Sequence, residues 1–178
     1  MRRKSTTTKM MKSYIVDALL ILMSEKDFHS ITIDELVKKA GVNRSTYYRH
    51  FTGKEDVIFY FLDSVMSEYL EQIQFQKLDL KTYLQKLFSH FMNYRKQMLV
   101  IYHAGLSMVL LNVLKKYFYF QIDTSKPLVE QYEVSFYIGG IFNHLLMWFS
   151  RGMKESPEEM TKYALLVLPP HFVPYLTK

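Results

Sequence analysis

The 178-residue chain has no cysteine, only six glycines and five prolines, and a single tryptophan. Lacking cysteine, it has no disulfide, no thiolate metal site and no cysteine nucleophile, which fits a reducing compartment. So few glycines and prolines leave little room for the frequent turns of a many-stranded sandwich or barrel, so long helices are expected. Long uncharged runs are scarce too. Residues 98–114 and 134–150 approach membrane-spanning length, yet each holds His and Asn (His103 and Asn112; Asn143 and His144) and neither has aromatic belts at both ends. They read as buried helices of an all-α core, with no membrane partner. The basic start imitates a secretion signal, but Asp17 interrupts its apolar run and Ser24-Glu-Lys-Asp27 stands where small residues would be cleaved. No signal peptide is expected.

What the chain does have is apolar bulk and positive charge. Apolar residues make up 49% and aromatic residues 16%, enough to build a sizeable core. The net charge is +6, of which +4 falls in residues 1–60. Arg2, Arg3, Lys4, Lys9 and Lys12 precede the first acid. Such an arm suits a polyanion, either nucleic acid or a membrane surface, and equally a solubilising tail.

Helix signals recur along the sequence. Tyr14, Ile15, Ala18, Leu19, Leu22 and Met23 share one face of a helix over about 9–25. Thr32-Ile-Asp-Glu35 is a capping box opening a short helix to Ala40, where Gly41 supplies a left-handed stop. Asn43 caps a second short helix, 44–50, and Thr52-Gly-Lys-Glu55 reads as another capping box opening a long helix towards Gln72. Asp79 caps a helix carrying Tyr83, Leu84, Leu87, Phe88 and Phe91. Residues 95–116 are helical with a break at Gly105, a loop follows over 118–126, and Pro127 falls in the first turn of a helix reaching Ser150. Ser156-Pro-Glu-Glu159 opens a last helix ending near Leu168, before Pro169-Pro170.

Two short capped helices around Gly41-Val42 form a helix-turn-helix pattern. Leu36, Val37, Ala40, Val42, Tyr47 and Phe51 lock the pair together. Ser45, Tyr48 and Arg49 point outward, flanked by Thr46 and His50. Hydroxyls, a phenol, an Arg and a His on one face make a surface suited to DNA.

The run Ile31-Thr-Ile-Asp-Glu-Leu-Val-Lys-Lys-Ala-Gly-Val-Asn-Arg-Ser-Thr-Tyr-Tyr-Arg-His-Phe-Thr-Gly-Lys-Glu55 resembles the DNA-binding domain of the TetR-type transcriptional regulators. The resemblance covers about residues 9–56. It includes the Ala-Gly-Val turn, the Tyr-x-His-Phe end of the second helix and the Lys-Glu opening of the next. It departs at Tyr47, where Leu is usual, and at Val37, where Ala is common. The resemblance implies an all-α cytoplasmic homodimer with a three-helix DNA-binding domain over 1–56 and a helical effector and dimerisation domain over 57–178. It further implies that Thr32, Thr46, Tyr48, His50 and Lys54 hold backbone phosphates of a double-stranded operator. Arg44 and Ser45 would reach base edges, and Tyr47 would be part core, part DNA contact.

The last third is similar to the activators of dihydroxyacetone-kinase operons, through Gly139-Gly140, the apolar stretch ending at Trp148, and Arg151-Gly-Met-Lys-Glu-Ser-Pro-Glu-Glu-Met160. A glycine pair inside a helix costs about 1 kcal/mol per residue relative to alanine and usually admits a second helix. In the family the last two helices of each subunit form the dimer seam, so the resemblance implies a seam at Gly139, Gly140, Asn143, Met147, Ala164, Leu165 and Leu168. A helix kink or close packing within one subunit would also account for the glycine pair. Met66, Phe88, Phe91, Met92, His103 and Met108 are the candidate walls of a pocket for a small apolar or aromatic effector. Gating by a protein partner, with no small molecule, stays open beside it. His90 and His103 lack metal-ligand spacing, and no triad, paired carboxylates or phosphate loop is found. Neither catalysis nor a cofactor is expected.

Overall fold

A computed structural model describes residues 2–118 and 127–168, with backbone alone at 2–6 and 118. Among the described residues the elements are helices: α1 (Arg2–Glu25), α2 (Ile33–Ala40), α3 (Arg44–His50), α4 (Lys54–Ile73), α5 (Leu80–Asn93), α6 (Arg95–His103), α7 (Ser107–Phe118), α8 (Leu128–Ser150) and α9 (Pro157–Leu165). A single 3-10 turn, Phe28–Ser30, joins α1 to α2. The fold is all-α, as the composition requires. α1 starts earlier than Lys9 because no glycine or proline precedes Gly41 to break it.

Local signals set most boundaries. The Thr32 hydroxyl caps α2 by accepting from Glu35 N–H, and the Thr32 N–H donates in return to the Glu35 carboxylate. At the other end Gly41 has φ +66°, its N–H donating to the Lys38 carbonyl while Val42 N–H donates to that of Val37. Only glycine adopts that conformation cheaply, so α2 stops there. The same pairing around Gly105 (φ +74°) separates α6 from α7, which meet at 120°. The uncharged run 98–114 is thus folded double, with Met98, Ile101, Leu106, Val109, Leu110 and Val113 buried. Among the described residues no single helix is long and apolar enough to cross a membrane.

Three expected boundaries move. The box at Thr52 has a different partner: α4 begins at Lys54, capped by Gly53 without a side-chain bond. Asp56, not Glu55, is therefore the third helical residue, and its carboxylate takes both the Thr52 N–H (2.9 Å) and the Thr52 hydroxyl. Pro127 lies just before α8 rather than in its first turn. α9 ends at Leu165, three residues early. Pro169-Pro170 and, beyond the helical Phe118, the expected loop to 126 lie outside the described residues.

α1 packs on α2, α4 and α6; α4 packs on α7; α8 on α6 and α7; α9 on α5. In α8, Val134, Ile138, Ile141, Phe142, Leu145, Trp148 and Phe149 face inward at helical period. Trp148 is fully buried edge-on to Phe88, with its indole N–H donating to the Glu155 carbonyl at 3.1 Å. α9 turns Met160, Thr161 and Ala164 inward, and Leu168 follows them. Ala164 and Leu168, expected at a dimer seam, are hence core of their own protomer. α9 needs that stripe to dock on α5.

Candidate nucleic-acid interface

The interface candidates gather on α2 and α3. Asn43 caps α3, its side chain accepting from Thr46 N–H at 2.8 Å. The Ser45 hydroxyl also donates to that side chain at 2.8 Å. Arg44, Ser45, Tyr48 and Arg49 are exposed, while Thr46 and His50 are half-buried. The structure therefore brings the outward residues onto one face, with α2 packed behind. Burial first, then the charges of Lys12 and Arg49, lower the His50 pKa.

Tyr47 departs from expectation. It is 0% exposed, packed beside Phe51, and its buried hydroxyl has no hydrogen-bond partner among the described residues. Burial drives its pKa up to about 12. A side chain with no exposed atom cannot touch DNA, so Tyr47 is core, in keeping with the leucine usual there. Thr32 is exposed, but its hydroxyl and N–H are both committed to Glu35, at 2.9 and 2.8 Å.

Lys54, expected on a phosphate, is turned inward. Its ammonium donates to the carbonyls of Phe28 (2.5 Å), Ile31 (2.6 Å) and His29 (3.4 Å), and sits 4.6 Å from the Phe28 ring centroid. An ammonium has three donors, and all three are engaged. Partial burial lowers its pKa. The first residue of α4 thereby ties that helix to the chain entering α2. Lys12 makes a parallel tie from α1, 4.6 Å above the Tyr60 ring.

One charged pair lies outside the expected set. Arg44 Nη1 donates to Asp34 Oδ1 at 3.1 Å, and its guanidinium carbon lies 5.8 Å from the Tyr48 ring centroid. Tyr48 first, then Asp34, raise the Arg44 pKa. Asp34 is the second residue of α2 and Arg44 the first of α3, ten residues apart. No sequence period links them; only the crossing of α2 and α3 does.

The capping box also makes a pH-dependent contribution. Lys26 at 2.5 Å, then the Thr32 N–H and hydroxyl, hold the Glu35 carboxyl at about 2 against an ordinary 4.5. With the folded pKa the lower one, this stabilisation is complete above about pH 4.5 and disappears as the pH falls towards 2. Thermal melts should therefore show the wild type above Glu35→Gln at neutral pH, and the gap closing through that window. A gap independent of pH would mean that the charge on Glu35 contributes nothing.

The six pocket candidates do not converge. Met66, Phe88 and Phe91 are packed core at 0–1% exposure, Met92 is half-buried, and His103 and Met108 are exposed. Chain reversal at Gly105 puts Met108 on the outside, while α4 and α5 close over the other three. An open groove of about 810 Å3 lies instead between α4 and α5, lined by Glu68, Gln72, Gln85, Ser89, Asn93 and Tyr94 among others. Of the seam candidates, Gly140, Asn143, Met147 and Leu165 are exposed and Gly139 is half-buried. They extend a stripe of exposed apolar residues, Val129, Tyr132 and Phe136.

The family model for bacterial regulatory proteins, tetR family, matches residues 15–60, and that for a transcriptional regulator C-terminal region matches 78–168. A fatty acid metabolism regulator protein of Bacillus subtilis is 28% identical over 60 residues, 34% of this chain and 31% of that protein. An uncharacterized HTH-type transcriptional regulator of the same organism, YvdT, is 32% identical over 71 residues, 40% of this chain and 36% of the relative. TtgW of Pseudomonas putida, likewise an uncharacterized HTH-type transcriptional regulator, is 33% identical over 57 residues, covering 32% and 42%. The matches thus span between about a third and two fifths of these relatives. A crystal structure of a TetR transcriptional regulator from Streptococcus agalactiae superposes with a TM-score of 0.64 over 93% of this chain and 97% of the other at 20% identity, a likeness of fold.

Proposed function

From a chain that belongs to the tetR family of bacterial regulatory proteins, a transcriptional regulator and not an enzyme, we propose a cytoplasmic homodimer that binds a palindromic operator. Residues 1–56 carry the DNA-binding part and residues 57–178 the dimerisation and response part. The observation that carries this reading is the exposed face of α3, with Arg44 at its first position. In a symmetric dimer two such helices enter successive major grooves when about 34–36 Å apart. Arg44 and Ser45 meet base edges there, Thr46, Tyr48 and His50 meet phosphates, and the exposed cap of α2 at Thr32 lies beside them.

Dimerisation is assigned to the α8 stripe, including Gly139, Gly140, Asn143 and Met147, continued by Leu165. On its C-terminal motifs the chain is placed beside the activators of dihydroxyacetone-kinase operons. For a small-molecule effector, the groove between α4 and α5 has room, and its amide and hydroxyl lining suits a polar ligand better than an apolar one. An effector that prefers one spacing of the two α3 helices shifts the population between bound and released forms.

Binding-site selection with the wild type and Arg44→Ala tests the reading. A guanidinium paired to guanine contributes ~1–3 kcal/mol of discrimination. The variant should lose that much on the operator, with preference relaxed at one base pair per half-site and random DNA bound nearly as before. If specific and random DNA weaken together, Arg44 is a phosphate contact and the assignment of α3 roles is wrong.

A further inference from the structure

We propose that Asp34 is a positioning residue for sequence reading: its carboxylate holds the Arg44 guanidinium in the orientation that meets a base edge, and penalises Arg44 for turning to a phosphate instead. The proposal rests on the reading of Arg44 as a base contact.

The geometry is a short, fixed lever acting on a long, mobile one. Asp34 lies in the first turn of α2, where the helix N-terminus favours a carboxylate and the backbone is anchored by the capping box. Its side chain has few rotamers. Arg44 has many, and in this chain two neighbours restrict them: Asp34 Oδ1, 3.1 Å from Nη1, on one side, and the Tyr48 ring, 5.8 Å from the guanidinium carbon, on the other. One of the five guanidinium donors is engaged by Asp34, which leaves a fork free for a bidentate partner.

The pair contributes little to folding. Both side chains are largely exposed, at 59% and 73%, and exposed ion pairs are nearly neutral in stability. A carboxylate on a DNA-facing surface also repels phosphate at every sequence. Asp34 therefore weakens general DNA attraction, and the compensating effect lies in discrimination. When the matching base is opposite, Arg44 serves base and carboxylate together. When it is not, swinging to a phosphate leaves Asp34 unpaired beside a polyanion, which is discrimination through an unfavourable alternative.

The test is a cycle of Asp34→Ala, Arg44→Ala and the double variant, each read by binding-site selection and by affinity for random duplex DNA. Asp34→Asn, which keeps the shape and removes the charge, runs in parallel in case the alanine disturbs α2. Asp34→Ala should bind random DNA more tightly than the wild type. Its operator-to-random ratio should fall by about fivefold or more, the lower end of one bidentate contact. Its preference should relax at the same base pair as in Arg44→Ala, with no further relaxation in the double variant. A relaxed Arg44→Ala profile beside a sharp Asp34→Ala profile overturns the positioning role alone. Equal Asp34 effects with and without Arg44 do the same, leaving only a repulsive charge. An Arg44→Ala profile identical to wild type overturns the base-reading assignment beneath it.

Discussion

Replacing Gly139 and Gly140 together by leucine is expected to leave each protomer folded and to abolish the proposed dimer. A Cβ placed on either glycine meets nothing within 4 Å among the described residues, so the space beside them is open there. Leucine is also the better helix former by about 1 kcal/mol per position, which should raise the stability of α8. The damage falls only on what packs outside. Val129, Tyr132, Phe136 and Met147 flank the pair at 67–75% exposure, an apolar stripe that a second copy can cover. Side-chain-free positions inside it admit a close helix crossing, and two leucines overpack it. Losing the dimer also removes the second half-site contact, whose effective concentration is worth roughly a hundredfold or more in operator affinity. Sedimentation should show a monomer with an unchanged or higher Tm, and half-site binding near that of the parent. An undisturbed dimer places the seam on another face.

The second large effect is expected at Lys54. Lys54→Met keeps the aliphatic stem against the Phe28 ring and removes the ammonium that bonds the Phe28, His29 and Ile31 carbonyls. Charge-assisted bonds of this kind contribute roughly 1.5–3 kcal/mol, so Tm should fall by about 5 °C or more in a chain of this size. DNA affinity should weaken at all sequences, because α2 and α3 lose a tie to α4. A phosphate contact makes a different mark: the slope of log affinity against log salt would flatten by ~0.9. An unchanged slope with a lowered Tm is the result for an internal clamp. A flattened slope with an unchanged Tm would put Lys54 on the DNA.

The sequence by itself determined the elements and the orientation of the reading helix. Caps at Thr32, Asn43, Asp79 and Ser156 and the stop at Gly41 act within a few residues of chain, through bonds whose partners lie three to five positions away. Local chemistry of that reach is legible in sequence. So is the outward face of α3, since helical period alone separates Tyr47 and Phe51 from Ser45, Tyr48 and Arg49. The error at Thr52 belongs to the same level, because a one-residue shift in the start of α4 exchanges Glu55 for Asp56 as the partner.

What the tertiary structure decided are contacts between segments distant along the chain. Lys54 reaches carbonyls 23 to 26 residues earlier, and nothing in its own neighbourhood marks it as a clamp rather than a phosphate contact. Ala164 and Leu168 lie on an apolar stripe that could meet a partner or the chain itself, and only the docking of α9 on α5 settles which. The six bulky residues expected around an effector separate for the same reason: periodicity assigns each to a face, while the bend at Gly105 and the packing of α4 against α5 determine which faces meet. Asp34 and Arg44 come together through the crossing of two helices. A helix face is a property of spacing, but its neighbour is a property of the assembled core, where the cost of leaving apolar surface in water selects one arrangement.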